Sequence, residues 1–438
     1  MRRTSFTLAV CGLFVGCGTL DQAPRESPVA RTARPATPPA KPVCPVAFTQ
    51  PAAAAGGLDD LLALARARNP DLAAAVARVG EARGNLVQAG LYPNPTVGYS
   101  GNQINDGPGT AGQQGGFVSQ EFVTGGKLRL AKDAAALGVT AADWHAASRW
   151  HETAARVKAA YYEHLAAAAA LRETELMLRL FEQGLERTEK LAAGVHVESY
   201  DVSRLKVEVV QARNRVGGAR QRVAAAARML AVAVGVEHLA AGGDEADFDR
   251  ELGVPDFDRA AEVAARSSFV LAAEAEAAQA EAEVRQAAAK PIPNVSVTAV
   301  GAHDYTTRAP TATVQVGVPL PLFDRNQGNV AAARSRHAAL LAAVGQARLK
   351  VRERLATAYQ RYENADRQLR LYAEHVIPDA TAALTQVDKV YEAKGERFFD
   401  TLDARRVLTT ARIEYANALG ELFAAAAEIE AVAQTSPR

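Results

Sequence analysis

The sequence predicts a mainly α-helical fold with a small β part: long antiparallel helices packed like a coiled-coil barrel wall, plus four short strands per chain. Three observations lead there. The first is composition: 48% of the 438 residues are hydrophobic but only 6% aromatic, and mean hydropathy is −0.10, because much of the apolar content is alanine in charged company, as at Ala166–Ala170 and Ala331–Ala333. Alanine mixed with Glu, Arg, Leu and Gln builds long helices and not an aromatic-rich globular core. The second is duplication at an offset of 198 residues: Gln88-Ala89 meets Gln286-Ala287, Pro93 and Pro95 meet Pro291 and Pro293, and Ala160-Tyr161 meets Ala358-Tyr359. A constant offset over more than a hundred residues marks one unit written twice. The third is a pair of short segments in each copy that alternate with period two.

The chain opens with an address. Arg2 and Arg3 precede an apolar run, Phe6 to Gly16, of secretory-signal length. The run ends Leu13-Phe14-Val15-Gly16-Cys17, which resembles a bacterial lipoprotein signal; cleavage before Cys17 leaves that cysteine as the lipid attachment site, and Gly18 after it resembles an outer-membrane destination. Residues 1–16 are therefore expected to be removed, leaving Lys+Arg 48 against Asp+Glu 49. Residues 17–56 are rich in Pro, Ala, Thr and Arg and bury little apolar surface, so they are expected to form an extended tether. Cys44 lies in it as a lone thiol.

The first copy is expected over 57–236, the second over 257–434, with a Gly- and acid-rich linker at 237–256. Each begins with a helical segment, about 58–91 and 257–289, that ends at Pro-x-Pro. Two alternating segments follow, about 94–103 with 114–123 and 293–303 with 311–320. In the second pair Val295, Val297 and Ala299 share one side, and Ala312, Val314 and Val316 stand opposite Thr311, Thr313 and Gln315 in their alternation. About ten residues is the length of a tilted strand crossing a bilayer. Next come long helices at about 127–194 and 327–394, with a seven-residue seam running Val157, His164, Leu171, Leu178, Leu185 in one copy and Leu355, Tyr362, Leu369, Val376, Ala383 in the other. Such a repeat implies left-handed packing against neighbours, and Pro378 predicts a kink. Each copy closes with a helix of about 35 residues returning after a break at Gly194–Ser199 or Gly395–Phe398.

Composition and motifs exclude several functions. A net charge of +1, with no basic run interleaved with aromatics, argues against nucleic acid as a partner. Past residue 20 no run of eighteen uncharged apolar residues exists, so no ordinary membrane helix is expected there. The three cysteines all precede residue 45, and the eight histidines show no ligand spacing, His145 and His151 being six apart. No cofactor, metal site or catalytic constellation is expected; Thr124-Gly125-Gly126-Lys127 lacks the first glycine and the Ser/Thr of a phosphate loop.

Four strands are too few to close a barrel, and open strand edges are not tolerated in lipid. Either the segments do not cross a membrane or several chains combine their strands; three chains would give twelve. Here the sequence resembles the TolC family of outer-membrane efflux factors over about residues 57–434. The most specific stretches are Pro319-Leu-Pro-Leu-Phe-Asp-Arg-Asn-Gln-Gly328, similar to the strand-to-helix junction of the heavy-metal and cation branch, and Gly395-Glu-Arg-Phe-Phe-Asp-Thr-Leu-Asp-Ala404, similar to the turn at the periplasmic tip. The resemblance implies a homotrimer with a 12-stranded β-barrel in the outer membrane of a Gram-negative bacterium and a helical tunnel in the periplasm, fed by an inner-membrane RND-type pump through a periplasmic adaptor. It implies a passive exporter of metal cations and not an enzyme. A drug or type I secretion factor of the same fold, or a periplasmic adaptor or structural coiled-coil lipoprotein, is the alternative.

Asp400 and Asp403 stand three apart at a helix start, hence on one face, and three chains would stack them as two acidic rings. By resemblance these are the periplasmic gate acids and Arg397 is the gate-locking arginine. Acids at a helix N-terminus also favour the dipole, with Asp400 as a cap. In the first copy Asp201 is present but Arg204 replaces the second acid.

Overall fold

The computed structural model describes residues 53–55, 57–104, 112–192, 199–241, 247–248, 252–394 and 398–434. Cys17, Cys44 and Arg397 lie outside them.

The duplicated plan is visible element by element. In the first copy α1 (Leu58–Arg68) and α2 (Pro70–Ala89) lead to β2 (Thr96–Asn102), β3 (Gln113–Phe122), α3 (Lys127–Ala192) and α4 (Ser199–Val234). In the second, α5 (Phe257–Ala264) and α6 (Ser268–Ala289) lead to β5 (Val295–Asp304), β6 (Ala309–Gly317), α7 (Gln327–Leu371), α8 (Ile377–Lys394) and α9 (Phe398–Ala433). At 1.5 Å per residue the 66 residues of α3 make a rod of about 100 Å.

The structure departs from the sequence expectation in three places. The leading helix of each copy is broken in two. Asn69 is the hinge of the first break: its side-chain oxygen accepts from the Asp71 amide at 2.9 Å, its side-chain Nδ2 donates to the Ala233 carbonyl at 3.0 Å, and Pro70 fills the first helical position. The α4 terminus beside it ends in a Schellman turn at Gly235 (φ +91), where a Cβ would stand 2.7 Å from the Asn69 backbone, so only glycine fits. Second, part of the expected tether is ordered: β1 (Ala53–Ala55) pairs in parallel with β4 (Leu239–Ala241), at the start of the linker. Third, the kink expected at Pro378 takes the form of a π-helical turn, Tyr372–Val376, just before it. The wider turn absorbs the proline ring and its missing N–H.

Each long helix divides into two lanes. The first part of α3 lies between α2 and α6, tied by Arg83–Asp143, Arg156–Asp71 and His145–Glu276 pairs at 3.7, 3.1 and 2.7 Å. Its later part lies between α4 and α9, with Arg220–Glu175 at 2.7 Å and Arg213–Glu182 at 2.8 Å on one side and Arg412–Glu173 at 3.5 Å on the other. Likewise α7 meets α6 first and α9 later. Much of the contact between helices is alanine, with Ala166, Ala167, Ala272, Ala282, Ala425 and Ala426 all buried, while toward the far end of α3 it passes to Met177, Phe181, Leu205 and Val209. Small side chains let helix axes approach closely.

Where the lanes change over, midway along α3 and α7, sit two of the apolar cores. In one, Leu58, Leu61, Val157, Tyr161, Tyr162, Leu230, Val234 and Phe423 pack together; in the other, Ala260, Val270, Val351, Leu355, Tyr359, Ile429 and Val432 do. Tyr162 stacks on Phe423 with ring centroids 4.4 Å apart, and Phe248 closes on both. The repeat-equivalent tyrosines both reach the linker: Tyr161 donates to the Asp247 carboxylate and Tyr359 to the Pro255 carbonyl.

The α3 seam also buries His164. Burial holds its imidazole below the ordinary 6.5, partly offset by a hydrogen bond to the Val223 backbone. The unfolded chain then takes up a proton before the native one does, so stability is full above 6.5 and falls as pH drops through the native value. His164→Gln is expected to flatten the pH dependence of thermal unfolding between pH 7.5 and 5; equal slopes for variant and parent would exclude His164 as the source.

Candidate functional site

Two regions gather the features a conduit needs: the sheet and the far end of the helices. The sheet has the order β2-β3-β5-β6, antiparallel throughout, with β2 and β6 as open edges. Its register sorts side chains by face. Val97, Val118, Ala299 and Val314 form one row across all four strands, and Tyr99, Val297, Val316 and Phe122 share that face. The larger members of this set are exposed in the single chain. The opposite face is mainly polar, with Thr96, Ser100, Ser119, Glu121, Ser296, Thr298, Asp304, Thr311 and Gln315 around an apolar Phe117–Val300 pair, and Ser119 shares a 2.8 Å hydrogen bond with Thr298 there. An apolar outer face backed by a polar inner one is the pattern of a membrane barrel with a wet lumen.

Between β3 and β5 the chain closes its own seam with a polar staple. Asn294 donates to Glu121 at 2.7 Å and accepts from Lys127 at 2.7 Å and from the Thr124 amide at 3.3 Å, while the Thr124 hydroxyl donates to the Pro293 carbonyl. Gly125 (φ +66) lies against Ile292, and a Cβ there would stand 2.8 Å from that side chain. The Thr124-Gly-Gly-Lys127 stretch thus turns a strand into a helix beside its partner elbow.

At the other end, α9 begins beside the α3–α4 pair. Asp400 and Asp403 are exposed on its first turns, while Thr401 and Leu402 between them are buried. Leu402 packs with Phe181, Leu205 and Val209. Arg204, the residue that breaks the repeat, places its guanidinium 4.4 Å from the Phe399 ring centre, a cation–π contact across the two copies. Arg204, Glu208, Asp403 and Arg406 surround one small cavity of about 50 Å³. Arg405 pairs with Asp388 at 3.2 Å, tying α9 to α8. Sequence reasoning noticed Arg204 only as a missing acid; its partner Phe399 lies in the other copy, beyond any local pattern. Among the described residues no cluster of three or more His, Cys, Asp or Glu is arranged to hold a metal ion, and no helix is long and apolar enough to cross a membrane.

A two-faced sheet with open edges, set on helical hairpins of this length, defines a subunit of an oligomeric membrane conduit: the edges have to be closed by further copies. The chain belongs to the outer membrane efflux protein family, whose model matches residues 61–236 and 260–433. Among curated proteins it is similar to the cobalt-zinc-cadmium resistance protein CzcC of Cupriavidus metallidurans, 23% identical over 395 residues, 88% of this chain and 91% of that one. Among solved structures it is similar to CusC (TM-score 0.73, 17% identity, 89% of this chain and 96% of that chain) and to the open state of the Neisseria gonorrhoeae MtrE outer membrane channel (TM-score 0.69, 19% identity, 86% and 89%). The protein is thus an outer-membrane channel of a tripartite efflux system, working as a trimer with an adaptor and an inner-membrane pump. Its sheet supplies four of the twelve strands of the trimer's barrel.

Proposed function

We propose that this channel exports metal cations handed to it by an RND-type pump, that it is held in the outer membrane by a lipid on Cys17 as well as by its barrel, and that Arg397, Asp400 and Asp403 gate its periplasmic tip. The observation that carries the cargo is the likeness to CzcC, a cobalt-zinc-cadmium resistance protein, over 88% of the chain. The tip chemistry supports it: two exposed acids per chain give six carboxylates in a trimer, a ring field that favours cations and resists closure unless partnered. Arg397, three residues before Asp400, is the partner the sequence offers. The adaptor's helical hairpin would dock in the grooves near 190–205 and 390–405. Energy comes from the pump, so the channel itself needs no cofactor.

In planar bilayers the trimer is expected to conduct with cation preference. Asp400→Ala with Asp403→Ala should shift the reversal potential in a salt gradient toward zero and raise the open fraction. An unchanged reversal potential in a conducting variant would remove the acidic-ring idea. A deletion strain grown across a panel of metals and drugs tests the cargo; sensitivity confined to drugs would overturn the metal assignment.

A further inference from the structure

The two open edges of the sheet end at the same level. Thr96, the first residue of β2, lies opposite Ser119, and Gly317, the last of β6, lies opposite Ser296. Both belong to the helix-side end, where Phe122 faces Val295. The chain enters β2 through an elbow at 91–95 and leaves β6 through an elbow at 318–323. Both elbows are apolar and bare in the single chain: Leu91 and Tyr92 are 53% and 64% exposed, Leu320 and Leu322 73% and 65%, and Phe323 92%.

The internal seam shows how such elbows relate. There the elbow after β3 sits directly on the elbow before β5, Thr124 on Pro293 and Asn294, and Gly125 on Ile292. That contact is polar and small, as befits two segments already joined by the chain. The elbow after β6 differs in chemistry but is no less fixed. Pro319 and Pro321 restrict it, the Leu322 amide donates to the Leu320 carbonyl at 2.9 Å, and Asn326 (φ +57) secures its far end by donating to the Ala287 carbonyl at 2.8 Å. Its apolar side chains are therefore presented without further ordering cost.

We infer that the Leu320–Phe323 elbow is a subunit-interface anchor, seated on the Leu91–Tyr92 elbow of a second copy of this chain, with Phe323 as its central contact. The inference rests on the trimeric channel. Open strand edges do not face lipid, so β6 of one copy has to pair with β2 of the next. In the register of the β3–β5 seam, that pairing brings these two elbows together as β3–β5 pairing brings together the internal ones. A seam between separate chains lacks the covalent tether of the internal one and needs an association surface; buried aromatic and leucine side chains supply it. This gives the Pro319–Phe323 motif a role that polar Thr124–Lys127 does not share.

Phe323→Ala is expected to abolish the SDS-resistant trimer of the unheated protein at 37 °C while leaving helix content unchanged, and Phe323→Leu to retain it. In a Cys44→Ser background, Phe323→Cys with Tyr92→Cys should cross-link to a covalent trimer on mild oxidation, and neither single variant should. Phe323→Trp reconstituted with brominated lipid should be quenched weakly. A stable Phe323→Ala trimer, no cross-link, or strong lipid quenching would overturn the inference and assign the elbow to lipid. A parent protein that forms no trimer at all would instead overturn the channel reading beneath it.

Discussion

Val118→Arg should prevent insertion of the protein into the outer membrane. Val118 stands mid-strand in β3, in the row Val97–Val118–Ala299–Val314 on the apolar face. A basic side chain at that depth on the lipid side of a barrel costs about 2–4 kcal/mol per chain, and a trimer carries three copies. The expected phenotype is loss of heat-modifiable trimer from the outer-membrane fraction. Ser119→Lys, one residue on and therefore on the polar face, should insert and conduct, with reduced cation preference. If Val118→Arg inserted as well as Ser119→Lys, the assignment of faces would be wrong.

Phe423→Ala is the second large effect. Phe423 is buried on α9 and stacks on Tyr162 of α3, with Phe248 of the linker against both. Truncating a buried phenylalanine costs about 3–5 kcal/mol when the site does not collapse. Collapse is unfavoured here, because Tyr162 and Phe423 border an open groove of about 380 Å³ lined by α1, α3, α9 and residues 252–255, and among the described residues no side chain backs the ring from that side. Denaturant unfolding in detergent, followed by circular dichroism, should show the full loss for Ala and a fraction of it for Phe423→Leu. A loss under about 1 kcal/mol for Ala would mean that the aromatic cluster does not hold the two copies together.

Much of this was legible in the sequence, for a physical reason in each case. Strand alternation survives because the period of two is fixed by the backbone, and Val295, Val297 and Val316 do share a face. The long helices were legible because Val157 and Leu355, one repeat apart, are both fully buried on the same seam. The break at Asn69 carried its own signal, a capping residue followed by proline, which the helical pattern on either side outweighed. The β1–β4 pairing carried none: three alanines in a proline-rich stretch do not announce a strand. The aromatic cluster was hidden because Tyr162, Phe248 and Phe423 are far apart in the chain and only the fold joins them. The same holds for Arg204 and Phe399. The roles of Cys17 and Arg397 rest on resemblance, and both lie outside the described residues.

The two-lane packing has a mechanical consequence. Along the sheet-side lanes α3 and α6 bury alanine, at Ala134, Ala141, Ala272, Ala275 and Ala282, whose shallow surface offers little interlocking, and are bordered by exposed ion pairs such as Arg83–Asp143 and Arg336–Glu283. Each such pair is worth about 0–1 kcal/mol and re-forms readily with a neighbouring charge. Neighbouring rods can therefore shear along their axes by a fraction of a turn at small cost. The aromatic changeover midway along α3 resists that motion, since stacked rings lose contact when displaced. The molecule is stiff at its waist and again toward the tip, where Met177, Phe181, Leu205 and Leu402 interlock, and it yields between waist and sheet, so a displacement passed up the rods is taken up as sliding before it reaches the strands.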